Sequence, residues 1–129
     1  ALGNIDVRLM LPEKADTIMV NKASHSYLDD MIQAGVKVYM YQPGFLHSKV
    51  LIFDDQVTCF GSANMDFRSF EHNFENNAFV YQEAFAKKMK QIFLDDQKQC
   101  KHIIPSEWLQ RPSWQKMKES IMRLFSPLL

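Results

Sequence analysis

The 129-residue sequence is short of the residues that mark several protein classes. Two cysteines, Cys59 and Cys100, cannot form a disulfide framework, and with the four histidines they show no zinc-binding spacing. A reducing compartment is the default for such a pair. Four glycines and five prolines are too few for a disordered or fibrous chain. No apolar run approaches the length that crosses a bilayer, no signal-peptide pattern is present, and there are no repeats or low-complexity tracts. A formal net charge of +0 removes any global electrostatic argument for nucleic acid or an anionic surface.

What is present is one domain's worth of ordinary globular sequence, 47% hydrophobic and 23% charged. The chain opens at Ala1 rather than methionine and runs almost at once into a strand-like segment. That is how a piece cut from a longer protein is expected to look, so the lack of a membrane-spanning run does not extend to a parent. Charge is unevenly placed. Up to Gln82 there are 6 Lys and Arg against 10 Asp and Glu; from Glu83 there are 9 against 5. The basic C-terminal part is either a solvated helical face or a surface that favours anions.

Periodicity predicts a mixed α/β fold. Ile5 to Leu11 alternates as a strand that stops at Pro12, and Val36 to Tyr41 alternates as a second. Between them a helix is expected from about Asp16 to Ala34, with Tyr27, Leu28, Met31 and Ile32 in its apolar stripe and Gly35 closing it. Strand, helix, strand in succession implies a right-handed crossover and a parallel pair. After Pro43-Gly44 a third strand is expected from His47 to Phe53, turned by Asp54-Asp55-Gln56 into Val57 to Phe60 as a hairpin. Gly61 to Asn73 reads as a polar loop or short helix, and Asn76 to Tyr81 as the last strand.

Glu83 to about Gln99 has helical periodicity, with Cys100 read into the same helical segment, and Pro105 and Pro112 each allow a helix start. The final stretch carries Trp114, Met117, Ile121, Leu124 and Phe125 on one face. Such a stripe is expected to pack on the domain, a membrane surface being its other use. The expected architecture is therefore a mixed sheet flanked by helices over residues 1–104, with a helical tail over 105–129.

The chemistry is concentrated in His47-Ser48-Lys49-Val50-Leu51-Ile52-Phe53-Asp54, then Gly61-Ser62-Ala63-Asn64, then Asn73-Phe74-Glu75. Side chains two apart on a strand share a face, which puts His47 and Lys49 together at the strand's start. An imidazole can act as nucleophile or proton donor near neutral pH, and an ammonium beside it suits phosphate oxygens. Ser62 and Asn64 add hydrogen-bond donors; a preorganised donor is worth about 2.7–4 kcal/mol in a measured oxyanion hole. A reactive histidine also needs an acceptor on its far nitrogen, and Glu75 is the candidate. Asp54 is an odd number of residues from His47, points to the opposite face of a regular strand, and reads as a holder of the turn. Each residue alone has a plainer use: capped surface histidine, solvated lysine, turn formers, cross-strand carboxylate. The ordered set carries the chemical reading.

His47-x-Lys49-x-x-x-x-Asp54 followed by Gly61-Ser62-x-Asn64 resembles the HKD signature of the phospholipase D superfamily. Gly61-Ser62-Ala63-Asn64-Met65-Asp66-Phe67-Arg68-Ser69-Phe70, running on to Asn73-Phe74-Glu75, is similar to bacterial cardiolipin synthases. Leu28 to Tyr39, Gly44 to His47 and Arg111 to Leu129 agree as well, so the resemblance covers nearly the whole chain as the C-terminal half with the second HKD motif.

The resemblance implies a phospholipase D-like half-domain that pairs with a first HKD half of the same chain, or with a second copy. It implies transfer of a phosphatidyl group between phosphatidylglycerols through a phosphohistidine, with glycerol released and no metal or cofactor. The catalytic set it implies is His47, Lys49, Asp54 and Glu75, with His47 as general acid/base; Ser62, Asn64 and Arg68 would bind phosphate. Arg68 alternatively forms a salt bridge with Asp66 or Glu71. The parent is expected at a bacterial inner membrane on the cytoplasmic side, the fragment itself being soluble. His25, His72 and His102 lack a lysine two residues on, so no first motif is present and the fragment alone is expected to be inactive or weakly active by self-pairing. Two other readings stay open: a homodimeric HKD nuclease, which the neutral charge disfavours, and a non-catalytic module that kept the fold.

Overall fold

A computed structural model describes residues 1–13 and 18–123, the side chains of residues 18–24, 67, 116, 119, 122 and 123 aside. The chain divides into two compact units, residues 1–46 with 99–129, and residues 47–98.

In the first unit, β1 (Arg8–Pro12) pairs in parallel with β2 (Lys37–Tyr41), and α1 (Ile18–Gln33) connects them. The expected start of this helix, near Asp16, lies outside the described residues. Its end is as the sequence predicts. Gly35 adopts φ +90, its N–H donates to Ile32 O at 3.0 Å, and Val36 N–H donates to Met31 O at 3.0 Å. This double closure requires a left-handed residue, which glycine supplies without steric cost. Asp6 ties the starts of β1 and β2 together, accepting from Arg8 and Lys37, and these cations lower its pKa from 3.8 to about 2.

One strand escapes the periodicity reading. Cys100 lies not in a helix but in β6 (Cys100–His102), antiparallel to β2. Three residues are too few to show alternation, and pairing with β2, including Tyr39 stacked on His102 at 4.8 Å, decides the conformation. Leu28 and Ile32 of α1 meet Val38 and Met40 of β2 and Ile103 in the buried core, with Leu9, Leu11, Val36 and Trp108 packed around them.

Helices α4 (Pro105–Leu109) and α5 (Ser113–Arg123) follow Pro105 and Pro112 and pack beside α1. Their junction is clamped. Asp29 Oδ1 accepts from Trp108 Nε1 and from Arg111 Nη2, each at 2.7 Å, and the guanidinium lies 3.6 Å over the indole. His25 meets the same indole edge-on, and burial, then the nearby Arg111 charge, lowers its pKa. The expectation that the α5 stripe packs on the domain is overturned: Trp114, Met117 and Ile121 are 59%, 61% and 47% exposed. Leu124 and Phe125 lie outside the described residues.

In the second unit, β3 (Val50–Phe53), β4 (Val57–Gly61) and β5 (Asn77–Val80) form an antiparallel sheet in chain order. The described strands thus form two three-stranded sheets rather than one. Helix α3 (Glu83–Gln97) covers the second sheet through buried Ala86 and through Phe85, whose ring is 6.1 Å from that of Phe60. Thr58 and Cys59 on the central strand are buried, Thr58 completely. The β3–β4 turn has Asp54 and Asp55 at φ 46 and 59, with Gln56 N–H donating to Phe53 O at 2.9 Å. Phe53 pairs with Val57, so three residues make the connection, and aspartate tolerates the two positive φ values it needs. Lys90 of α3 pairs with Asp55 at 2.7 Å.

Candidate active site

Antiparallel order brings the start of β3, the end of β4 and the start of β5 to one end of the sheet. There stand His47 and Lys49, then Gly61 to Asn64, then Glu75 to Asn77. The strand expected from His47 begins only at Val50, although Gly61 N–H donates to Lys49 O at 3.2 Å and carries the ladder one step further. Lys49 is half-buried and donates from Nζ to the His47 carbonyl at 2.9 Å, which pins the ammonium beside the histidine backbone. His47 is exposed.

The loop from Ser62 to Asn76 is closed at its neck. Ser62 N–H donates to Asn76 O at 3.0 Å, and Asn76 N–H donates to Ser62 Oγ at 3.0 Å. Ala63 N–H donates to Asn77 Oδ1 at 3.4 Å and Asn64 N–H to Ser69 Oγ at 3.1 Å. The four successive amides from Gly61 to Asn64 are therefore all engaged. Donors for an anion must come from side chains here, the Lys49 ammonium and the Asn64 amide; the Ser62 hydroxyl, expected to bind phosphate, gives its one proton to Glu75.

Glu75 is the hub of that loop. Asn73 Nδ2 donates to its Oε1 at 3.2 Å, and hydrogen bonds from Ser62 first, then Asn73 and Ser69, hold its pKa below the ordinary 4.5. Short α2 (Phe67–Glu71) presents Ser69 to this network. Asp66 caps it, with Oδ1 accepting from Ser69 N–H at 2.7 Å. Sequence reasoning missed Ser69, Asn76 and Asn77 as builders of the site. Asp66-x-x-Ser69 has helix-capping spacing and could have revealed the first; the asparagines act through register, which has no local signature.

One expected site residue lies elsewhere. Asp54 sits in the turn at the other end of β3, on the order of 15 Å along the strand from Lys49. It does not join the cluster, in keeping with its odd spacing. Arg68 projects from α2 as an exposed side chain, while its carbonyl accepts from His72 and Asn73 N–H at 2.9 and 2.8 Å. Asp66, a suggested partner for it, accepts the Ser69 amide through Oδ1 in the helix cap. Among the described residues no group of three or more His, Cys, Asp and Glu side chains is placed to hold a metal ion, and no helix is long and apolar enough to cross a membrane.

Residues 1–97 match the model of the family described as cardiolipin synthase, PLD-like domain. The major cardiolipin synthase ClsA of Bacillus subtilis is 44% identical over 128 residues, 99% of this chain and 27% of that protein. A cardiolipin synthase of Staphylococcus aureus is 46% identical over 129 residues, 100% of this chain and 26% of that protein. The chain thus spans about a quarter of the length of these relatives. The crystal structure of Nuc from Salmonella typhimurium, a phospholipase D family member, superposes with a TM-score of 0.65 at 21% identity, over 77% of this chain and 64% of that one. This likeness bears on the fold, which is of the phospholipase D kind.

Proposed function

The chain belongs to the family of cardiolipin synthase phospholipase D-like domains, and from that premise we propose that it is the second catalytic half of a phosphatidyltransferase. The observation that carries the reading is the single sheet end where His47, Lys49, Ser62, Asn64 and Glu75 gather around one hydrogen-bonded loop. In this reading the reaction joins two phosphatidylglycerols into cardiolipin and releases glycerol. The first HKD half, in the same parent chain or a second copy, supplies the nucleophilic imidazole. That nitrogen attacks phosphorus, the bond to the glycerol oxygen breaks, and His47 passes its proton to the departing alkoxide. Neutral His47 then takes the proton of the incoming phosphatidylglycerol hydroxyl, whose oxygen displaces the histidine from phosphorus.

Lys49 and Asn64 meet the charge on the phosphoryl oxygens as it shifts during each displacement, and Ser62, its proton given to Glu75, keeps the loop that carries Asn64 in place. Glu75 serves twice. It holds the loop that carries Ser62 and Asn64, and in this reading it steadies the far nitrogen of the His47 ring when the two halves meet. Asp54 supports the site by holding the hairpin, and exposed Arg68 is the contact for a second phosphate or the glycerol headgroup. Residues 1–104 form the phospholipase D-like half and 105–129 the tail, in a parent at the cytoplasmic side of a bacterial inner membrane.

Mixing the purified chain with a polypeptide bearing the first HKD half tests this reading. Phosphatidylglycerol conversion to cardiolipin and glycerol should require both. Turnover by the chain alone as a demonstrated monomer contradicts it.

A further inference from the structure

The α5 stripe is unusual because it faces outward from a helix that is firmly held. The clamp of Asp29, Trp108 and Arg111 fixes the α4–α5 junction to α1, and α5 packs alongside α1. Trp114, Met117 and Ile121 nevertheless stay exposed. At 100° per residue these positions fall within about 60° of arc, so they make one continuous apolar ridge. Lys118 rests its ammonium 4.7 Å over the Trp114 ring, at the margin of that ridge. The helix sequence holds Lys116, Lys118 and Arg123 against a single Glu119, within the more basic part of the chain.

We propose that the Trp114–Met117–Ile121 ridge of α5 is a docking surface for an anionic phospholipid membrane. Eleven residues rise about 16 Å, half the hydrocarbon thickness, so α5 would lie in the interface plane rather than span it. Tryptophan suits that depth because its ring is apolar and its N–H finds water or headgroups. Lysine beside an apolar ridge is what an anionic leaflet attracts, whereas lysine is depleted at protein–protein interfaces. The inference rests on the proposed phospholipid chemistry only for the kind of surface, and its test does not involve turnover.

Co-sedimentation of the 129-residue chain with phosphatidylglycerol-containing vesicles and with pure phosphatidylcholine vesicles tests it. Binding should favour the anionic vesicles and weaken with salt. The double variant Met117→Asp, Ile121→Asp should lower partition at least about tenfold, and Lys118→Gln about fivefold on anionic vesicles alone. His47→Ala should bind like the unaltered chain even where turnover is lost, so failure of docking and failure of the catalytic reading are separately visible. A second measurement covers a double variant that does not fold: vesicles should shift tryptophan emission to the blue, and Trp114→Phe, which leaves Trp108 in place, should abolish the shift. Equal binding by the double variant, equal binding to neutral vesicles, or no emission shift overturns the proposal. So does self-association through the ridge, lost in the double variant and unaffected by vesicles, which would identify a second copy as the occupant.

Discussion

Ser62 and Asn76 grip each other twice across the neck of the β4–β5 loop, amide to carbonyl and amide to hydroxyl, each at 3.0 Å. The strands can come this close because Gly61 has no side chain. A Cβ there would overlap the Asn76 carbonyl and the Asn77 side chain and stand 2.7 Å from the Asn77 Cα. Backbone atoms cannot swing aside, so Gly61→Ala should cost about 1–3 kcal/mol and misplace Ser62. Denaturant unfolding measures the first effect, and lipid turnover with the first half supplied measures the second. An alanine variant as stable and active as the parent sequence would show that the neck is looser than described.

Acid should loosen the same loop. The Glu75 pKa lies below 4.5 because Ser62, then Asn73 and Ser69, donate to its ionised form. A depressed carboxylate adds stability that is complete above its ordinary value and is lost as pH falls through the lowered one. Hydrogen exchange at the Asn64 amide, which donates to Ser69, should therefore accelerate relative to the unfolded chain at the same pH as pH falls below the ordinary glutamate value of 4.5. Glu75→Gln should show the accelerated rate at neutral pH. Relative exchange independent of both pH and this substitution would remove Glu75 as the hub.

Asp29 is the shared acceptor of Trp108 and Arg111, and the Arg111 side chain is only 11% exposed. Asp29→Ala leaves a guanidinium and an indole N–H without that acceptor. The expected loss is about 2–3 kcal/mol, toward the lower end for a broken charge pair because Asp29 is itself partly exposed. Asp29→Asn, which retains one acceptor oxygen, should lose less. Chemical denaturation followed by tryptophan emission distinguishes these outcomes from no change.

Thr58 offers a gain. Its hydroxyl is fully buried on β4 with no hydrogen-bond partner among the described residues. Thr58→Val keeps the branched shape a strand favours and removes the unpaired group, so the denaturation midpoint should rise by about 1 kcal/mol in stability. A fall would mean that the hydroxyl finds a partner, such as water, in solution.

The reach of sequence reasoning follows the range of the interactions involved. Gly35 as a helix end, the parallel β1–β2 pair and the Asp54-Asp55 hairpin were legible because each depends on local chemistry. The gathering of Lys49, Ser62 and Glu75 at one sheet end was legible from strand order. Three-residue β6 was not, since pairing to β2 and not its own pattern makes it a strand. The true start of β3 at Val50, the division into two sheets and the Ser69 link were likewise set by tertiary pairing. Periodicity found the α5 ridge but not its direction: an apolar stripe states that a helix has a preferred face, not what will cover it.

Proton transfer at position 47 bears most of the weight. The decisive measurement is the rate of cardiolipin formation by a full-length protein containing this chain, with His47→Ala compared against the parent sequence at equal folded concentration. Loss of roughly 10²–10⁴-fold is the expected result for removal of a general acid/base. An unchanged rate would leave this half as a scaffold that kept the fold without the chemistry.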